Sequence, residues 1–250
     1  MRYEGEHLLI GQIGHFLAIL SFVASLLAAI AYFKASSANP LTEKWKKLGR
    51  VAFFIQSISI VAIFFALYLI IYNHYFEYKY AYEHSKRSLD MQYLLSCFWE
   101  GQEGSFMLWT FWQSVLGLVV MRTAKQWEAP VMSIVSVAQF FLSSFIIGIY
   151  FFDAKIGSSP FVLMRNEYTN APIFQDPNYL FKYLTDGNGL NILLQNYWMV
   201  IHPPVLFLGF ASALFPFSFA IAGLWKKDHS GWLKHGLPWA LFNAGILGLG

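Results

Sequence analysis

The chain has 250 residues, of which 57% are hydrophobic, 19% aromatic and 12% charged, with a formal net charge of +3. A soluble domain carries about 25% charged residues, so this composition excludes an ordinary globular fold and reads as a polytopic membrane protein, with no basic surface calling for a nucleic-acid partner. The single cysteine, Cys97, excludes an internal disulfide and a cysteine-only zinc site.

Uncharged apolar runs of about 17 to 25 residues or more mark the expected spans. The first is 8–33, too long and too poor in leading basic residues for a cleavable signal peptide. It carries Gly11, Gly14, Ala18, Ser21, Ser25 and Ala28 on one face, spacing that lets membrane helices approach closely. Gln12 and His15 are polar groups near its outer end, and His15 is expected to hydrogen-bond a neighbouring helix. Residues 34–50, rich in Lys and containing Trp45, read as a turn followed by a surface helix.

The second span is 51–72. Residues 73–104 are rich in Tyr, a residue of membrane interfaces. They lead through Trp99, Glu100, Gly101, Glu103 and Gly104 into the third span, 105–121, which starts with Ser105. The two acids fall at the positive end of a helix, and the glycines permit a tight entry. Capping and packing explain one acid better than two, and a functional role stands beside them. The fourth span is 131–152, with Pro130 suited to its start. Trp109, Phe111, Trp112, Phe140, Phe141 and Phe145 read as packing or lipid-facing surface.

Residues 153–187 form a long loop with no convincing strand alternation, and a loop of that length is usually functional or disordered. Phe152, Phe161, Phe174 and Tyr179 imply that it packs on something. Over 188–201, Leu190, Leu193, Leu194, Tyr197, Trp198 and Ile201 recur at helical spacing, which predicts an interfacial amphipathic helix. His202, Pro203 and Pro204 follow, in the fifth span, 200–225. The prolines suit a first helical turn and would put His202 at the membrane boundary, where a helix N-terminus favours the neutral imidazole that ligates metals. A boundary histidine that hydrogen-bonds a loop is the other reading. The run 237–250 is too short to cross, and the sequence reads as the N-terminal portion of a longer protein. The expected fold is all-α: a polytopic transmembrane bundle with a long external loop and an interfacial amphipathic helix, one membrane domain over 1–250.

Residues 34–50, 122–130 and 226–236 hold ten Lys and Arg against three acids, or +7, and the remaining loops hold seven against eleven, or −4. The positive-inside rule places the first set in the cytoplasm, with the N-terminus, 73–104, 153–199 and His202 outside.

Two stretches resemble one family. Trp99-Glu-Gly-Gln-Glu-Gly-Ser-Phe-Met-Leu-Trp109 is similar to the W-G-x-x-E-G-S-x-x-L-W signature of the CcmF/CcsA haem-handling proteins of cytochrome c biogenesis, with Glu100 in place of a glycine. Gly187-Asn-Gly-Leu-Asn-Ile-Leu-Leu-Gln-Asn, continuing to His202-Pro-Pro-Val-Leu-Phe-Leu-Gly209, resembles that family's D-x-x-L-N-P-L-L-Q-x…H-P-P-x-L-Y-x-G, with Ile192 in place of proline. Tyr80 to Leu89 and Tyr93 also follow the pattern, which is nearer to the CcmF-like branch. The family's tryptophan-rich haem-binding segment would lie beyond residue 250.

The resemblance implies a haem lyase component that presents non-covalently held haem b for attachment to apocytochrome c Cys-x-x-Cys-His thiols. It implies His202 as a haem-iron axial ligand and Trp99, Glu103, Gly104, Ser105, Trp109, Pro203 and Pro204 as motif residues, with Glu103 mattering more than Glu100. It also implies haem-delivery and thiol-reducing partner subunits, membrane lipid around the spans, and a place in the bacterial cytoplasmic membrane. Residues 1–250 alone are not expected to retain haem. A haem exporter without a bond-forming role and a structural subunit of a respiratory complex are the alternatives.

Overall fold

The structure, a computed structural model, describes residues 3–37, 40–152 and 154–250. In chain order its helices are α1 (Leu8–Ser36), α2 (Thr42–Tyr72), α3 (Lys79–His84), α4 (Met91–Glu100), α5 (Gln102–Thr123), α6 (Glu128–Ser144), α7 (Met164–Glu167), α8 (Tyr179–Lys182), α9 (Tyr197–Lys226) and α10 (Leu233–Leu249). Strands β1 (Ile149–Phe151) and β2 (Ala154–Ile156) form an antiparallel hairpin with Tyr150 opposite Lys155. The protein is an all-α polytopic helical bundle. By length and composition α1, α2, α5 and α9 can cross a membrane. α6 and α10 have 17 residues each, about 25 Å at ~1.5 Å per residue, slightly less than a ~30 Å hydrocarbon core.

Small residues decide how the bundle closes. The stripe from Gly11 to Ala28 is buried; α1 packs along α2 and α6, Ser21 lies against Ser143 of α6, and Gly11 and Gly14 admit the Tyr78 and Phe161 rings. Polar side chains then join helices inside. Gln139 of α6 donates to Ser114 Oγ of α5 at 2.7 Å, and Gln56 of α2 donates to the same oxygen at 3.1 Å. Such interhelical bonds hold register where lipid offers no competing partner. α9 and α10 lie side by side: Asn243 Nδ2 of α10 donates to the Gly209 carbonyl of α9 at 2.7 Å.

Several expected boundaries move. The Lys-rich stretch is not a separate surface helix, because α2 starts at Thr42 and carries it. There Arg50 makes two 2.6 Å bonds to the Glu128 carboxylate, which is 2% exposed, with Lys46 3.4 Å away. The fourth span does not reach residue 152: α6 ends at Ser144, and the chain turns into the hairpin. Strands of three residues are too short to show alternation. His15 has no hydrogen bond among the described residues.

The amphipathic helix expected over 188–201 is also not a separate helix. Residues 192–194 form a single 3₁₀ turn, and α9 starts at Tyr197 and runs unbroken to Lys226. Of the apolar side chains read from the sequence, Leu193 (81%), Tyr197, Trp198 (71%) and Ile201 are exposed, as an interfacial segment requires, whereas Leu190 is buried and Leu194 packs against the core, and the backbone is held otherwise. Asn191 and Asn196 accept from the amides of Leu193 and Met199, and Gln195 donates to the Leu190 carbonyl. Asn196 is thus an N-cap, which fixes the helix start.

The long segments at one end of the bundle form one interlocked cap. Lys79 N donates to Val162 O, Met164 N to Glu77 O and Asn188 N to Tyr82 O. Phe76, Met164, Phe174, Tyr179 and Leu184 make its small core. Ion pairs Glu6–Arg165 (2.7 Å) and Lys79–Glu167 (2.8 Å) cross it. Of the four aromatics expected to pack, Phe161, Phe174 and Tyr179 are buried and Phe152 is 85% exposed.

Segments 73–101, 145–152 and 154–196 therefore share one end of the bundle, and the C-terminal ends of α1, α5 and α9 share the other with the starts of α2, α6 and α10. With the charge asymmetry of those two ends, an impermeant thiol reagent applied outside is expected to modify Asn170→Cys and spare Ser36→Cys, each in a Cys97→Ser background. The reverse pattern would refute the orientation.

Candidate functional site

The two signature stretches, about a hundred residues apart in sequence, meet at the capped end of the bundle. The first forms an elbow. α4 ends at Glu100, Gly101 is extended (φ −81°, ψ 161°), and α5 starts at Gln102. The Tyr80 hydroxyl fits into this break. It donates to the Phe98 carbonyl at 2.8 Å and accepts from the Gly101 amide at 3.2 Å. Burial pushes the Tyr80 phenol well above its ordinary pKa, so it stays a donor.

A Cβ on Gly101 would run into the Tyr80 ring, and one on Gly104 would overlap the Phe98 carbonyl oxygen and the Tyr80 hydroxyl. The glycines are there for close approach, not for an unusual φ. Ser105 Oγ closes the elbow by donating to the Trp99 carbonyl at 2.9 Å.

Both acids reach outward to the cap. Glu103 accepts from Ser158 Oγ at 2.5 Å. Glu100 lies 3.1 Å from His84 Nδ1 and accepts from the Asn191 amide at 3.3 Å. Glu100, which departs from the family pattern, is thus a direct tie between the two signature stretches.

The second stretch enters α9 with its prolines in an unexpected place. The helix starts at Tyr197, so Pro203 and Pro204 lie in the second turn and not the first. His202 is accordingly one full turn inside the helix, beyond most of the terminal dipole charge. Inside a helix, proline has no N–H for the carbonyl four residues back. For Pro203 that carbonyl belongs to Met199, and the Trp99 indole Nε1 donates to it at 2.8 Å. Deeper in the membrane, the Trp109 ring meets Phe207 and Phe210 of α9 at centroid distances of 6.2 and 5.6 Å. The His202 side chain is exposed and has no hydrogen bond among the described residues.

Trp99, Glu103, Gly104, Ser105, Trp109 and the Pro203–Pro204 pair are thus brought to one junction with His202 at its rim. Sequence reasoning gave no role to Tyr80, Met199, Ser158, Asn191 or Asn196. The asparagine before each helical turn was a readable cap signal. The indole–carbonyl contact followed only if Pro203 was placed inside the helix. Cys97 is buried, its thiol pushed up to about 12 by that burial, and it donates to the Tyr93 carbonyl. It is structural. Among the described residues no cluster of three or more His, Cys, Asp or Glu side chains could hold a metal ion.

This architecture defines a multi-pass membrane protein whose outer boundary is built around a broken helix seated on a proline-interrupted span. Residues 99–244, which contain both stretches, match the Cytochrome C assembly protein family, and the chain belongs to that family. It is 27% identical over 239 residues to the cytochrome c-type biogenesis protein CcmF of Haemophilus influenzae, covering 93% of this chain and 33% of that protein. It is 26% identical over 234 residues to the cytochrome c-type biogenesis protein CycK of Bradyrhizobium diazoefficiens, covering 93% and 32%. The solved structure titled Cytochrome c Heme Lyase CcmF superposes with a TM-score of 0.71 at 20% identity, over 98% of this chain and 35% of that one. The chain spans about a third of the length of the curated relatives it matches.

The elbow gives a stability prediction. Gly104→Ala is expected to cost about 2–3 kcal/mol by overpacking against backbone that cannot move aside. Gly245→Ala, where a Cβ meets nothing within 4 Å, serves as the control. Thermal unfolding in detergent checks it, and equal midpoints for the two variants would contradict it.

Proposed function

We propose that the protein is a haem-handling component of cytochrome c maturation, presenting haem for covalent attachment to apocytochrome c. The observation that carries this reading is the junction itself: the family's two signature stretches are bonded together through Trp99 and Met199, and His202 is left exposed beside them. Two neighbouring imidazoles are engaged, His7 with Glu77 at 3.0 Å and His84 with Glu100 at 3.1 Å, while His74 Nδ1 is buried without a partner among the described residues; His202 differs from His74 in being exposed.

The residues present fit one side of a haem. His202 offers a nitrogen with no competing partner, and Tyr197, Trp198 and Ile201 beside it expose apolar surface. In this reading His202 is one axial ligand to haem b held without a covalent bond. Haem, when bound, supplies the vinyl carbons to which the thiols of a Cys-x-x-Cys-His motif add. The chain's part is positional: the Asn196 cap and the Pro203–Pro204 turn fix where the imidazole points, the exposed aromatics shield one face from water, and the polytopic bundle holds the site at the boundary where a translocated substrate arrives. The setting is the bacterial cytoplasmic membrane with His202 on the periplasmic side, among haem-delivery and thiol-reducing subunits.

A single axial ligand covers too little of the porphyrin for tight binding. The full-length protein is expected to bind haem, and residues 1–250 alone are expected not to retain it stoichiometrically. In the full-length protein His202→Ala should lower or redistribute the haem absorbance, and added imidazole should partly restore it. An unchanged spectrum with maturation intact would leave His202 a structural residue and remove this reading.

A further inference from the structure

We infer that Trp99 is a positioning residue for His202, acting through the carbonyl that Pro203 leaves without a helical partner; this rests on the haem reading of His202. In α9 the Met199 carbonyl would normally accept from the N–H of residue 203, and Pro203 has none. An interior carbonyl at membrane depth needs a partner, and without one a helix tends to kink at the proline. The Trp99 indole supplies the missing donor at 2.8 Å. His202 sits between the two ends of this replaced bond, so the tilt and rotation of its turn are set by where the indole holds Met199.

The indole is itself fixed. Trp99 is 7% exposed, its carbonyl is held by Ser105 Oγ, and the preceding carbonyl, that of Phe98, is held by Tyr80. A continuous path of bonded groups therefore runs from the elbow to the turn that carries the imidazole. The contact is not generic to the tryptophans of this bundle, since the indole N–H groups of Trp112 and Trp127 are buried with no partner among the described residues. The pairing also accounts for the two motifs sharing one protein: a proline after the histidine creates the vacant acceptor, and a tryptophan at the elbow fills it.

The test is a double-mutant cycle in the full-length, haem-loaded protein. Trp99→Phe keeps the ring and removes the donor. It is expected to weaken haem retention about tenfold, the scale of one buried hydrogen bond left unmade, and to shift the haem absorption bands and midpoint potential as the imidazole reorients. Pro203→Ala restores an N–H to the helix at position 203, so Met199 regains a partner. In that background Trp99→Phe should change retention by less than about twofold and leave the spectrum as Pro203→Ala alone sets it. Equal effects of Trp99→Phe in both backgrounds would overturn the inference.

Should Trp99→Phe alone give no folded protein, recovery of folded yield by adding Pro203→Ala supports the inference and failure to recover overturns it. The His202→Ala variant separates the two levels. Unchanged haem in that variant removes the haem reading whatever Trp99 does, whereas additivity in the cycle removes the Trp99 role with the haem reading intact.

Discussion

Backbone polar groups that a helix cannot satisfy by itself set the design of the outer boundary. Two such breaks occur there, the extended Gly101 between α4 and α5 and the proline pair inside α9. Each would be costly in a medium without water. The breaks are placed against one another, so that side chains of one fill vacancies of the other. Tyr80 and Ser105 close the elbow, the Trp99 indole closes the proline gap, and Glu100 takes the Asn191 amide from the segment leading into α9. The glycines follow from this arrangement: a side chain at 101 or 104 would occupy the space that Tyr80 fills.

What the sequence reveals and what it hides follows the same physics. Spans are legible because charge is expensive in lipid, so 8–33, 51–72, 105–121 and 200–225 all fall inside observed helices. Their ends are less legible, because a helix continues for as long as its side chains can reach water. α2 begins nine residues before its apolar run, with Lys44, Lys46 and Lys47 on its extension. α6 does the opposite and stops at Ser144, where the chain turns toward the cap although the residues remain apolar. The segment 188–196 misled for another reason. Its leucines have helical spacing, but the amide side chains of Asn191, Gln195 and Asn196 bind nearby backbone and hold it out of the helix, a competition these residues often win.

Charges counted for topology also have local partners. Glu128 counts as one acid among the Lys- and Arg-rich connections, yet it is buried and gathers Arg50 and Lys46 at the ends of α2 and α6. Removing one member of such a pair leaves a charge stranded, which costs far more than an exposed pair contributes. On the outer side, Glu6, Glu77, Glu100, Glu103 and Glu167 each bond a group on another segment of the cap or elbow. The excess of acids there is therefore partly structural. It stitches long loops together where helices alone supply no ladder, and it leaves the excess of Lys and Arg at the opposite end as the cleaner orientation signal.

The position of His202 gains meaning from this accounting. Nearly every polar group of the junction is engaged: the indole, the phenol, both carboxylates, the Ser105 hydroxyl and the Asn196 amide all have partners on the chain. His202 is in the same place, on a turn whose direction those bonds fix, and has none. The first-turn placement expected from the prolines would have set the imidazole against the helix N-terminus; α9 instead starts at Tyr197 and is capped by the Asn196 side chain, so that in the haem reading proposed above it is an imidazole one turn further in, without a side-chain partner of its own, that meets the iron.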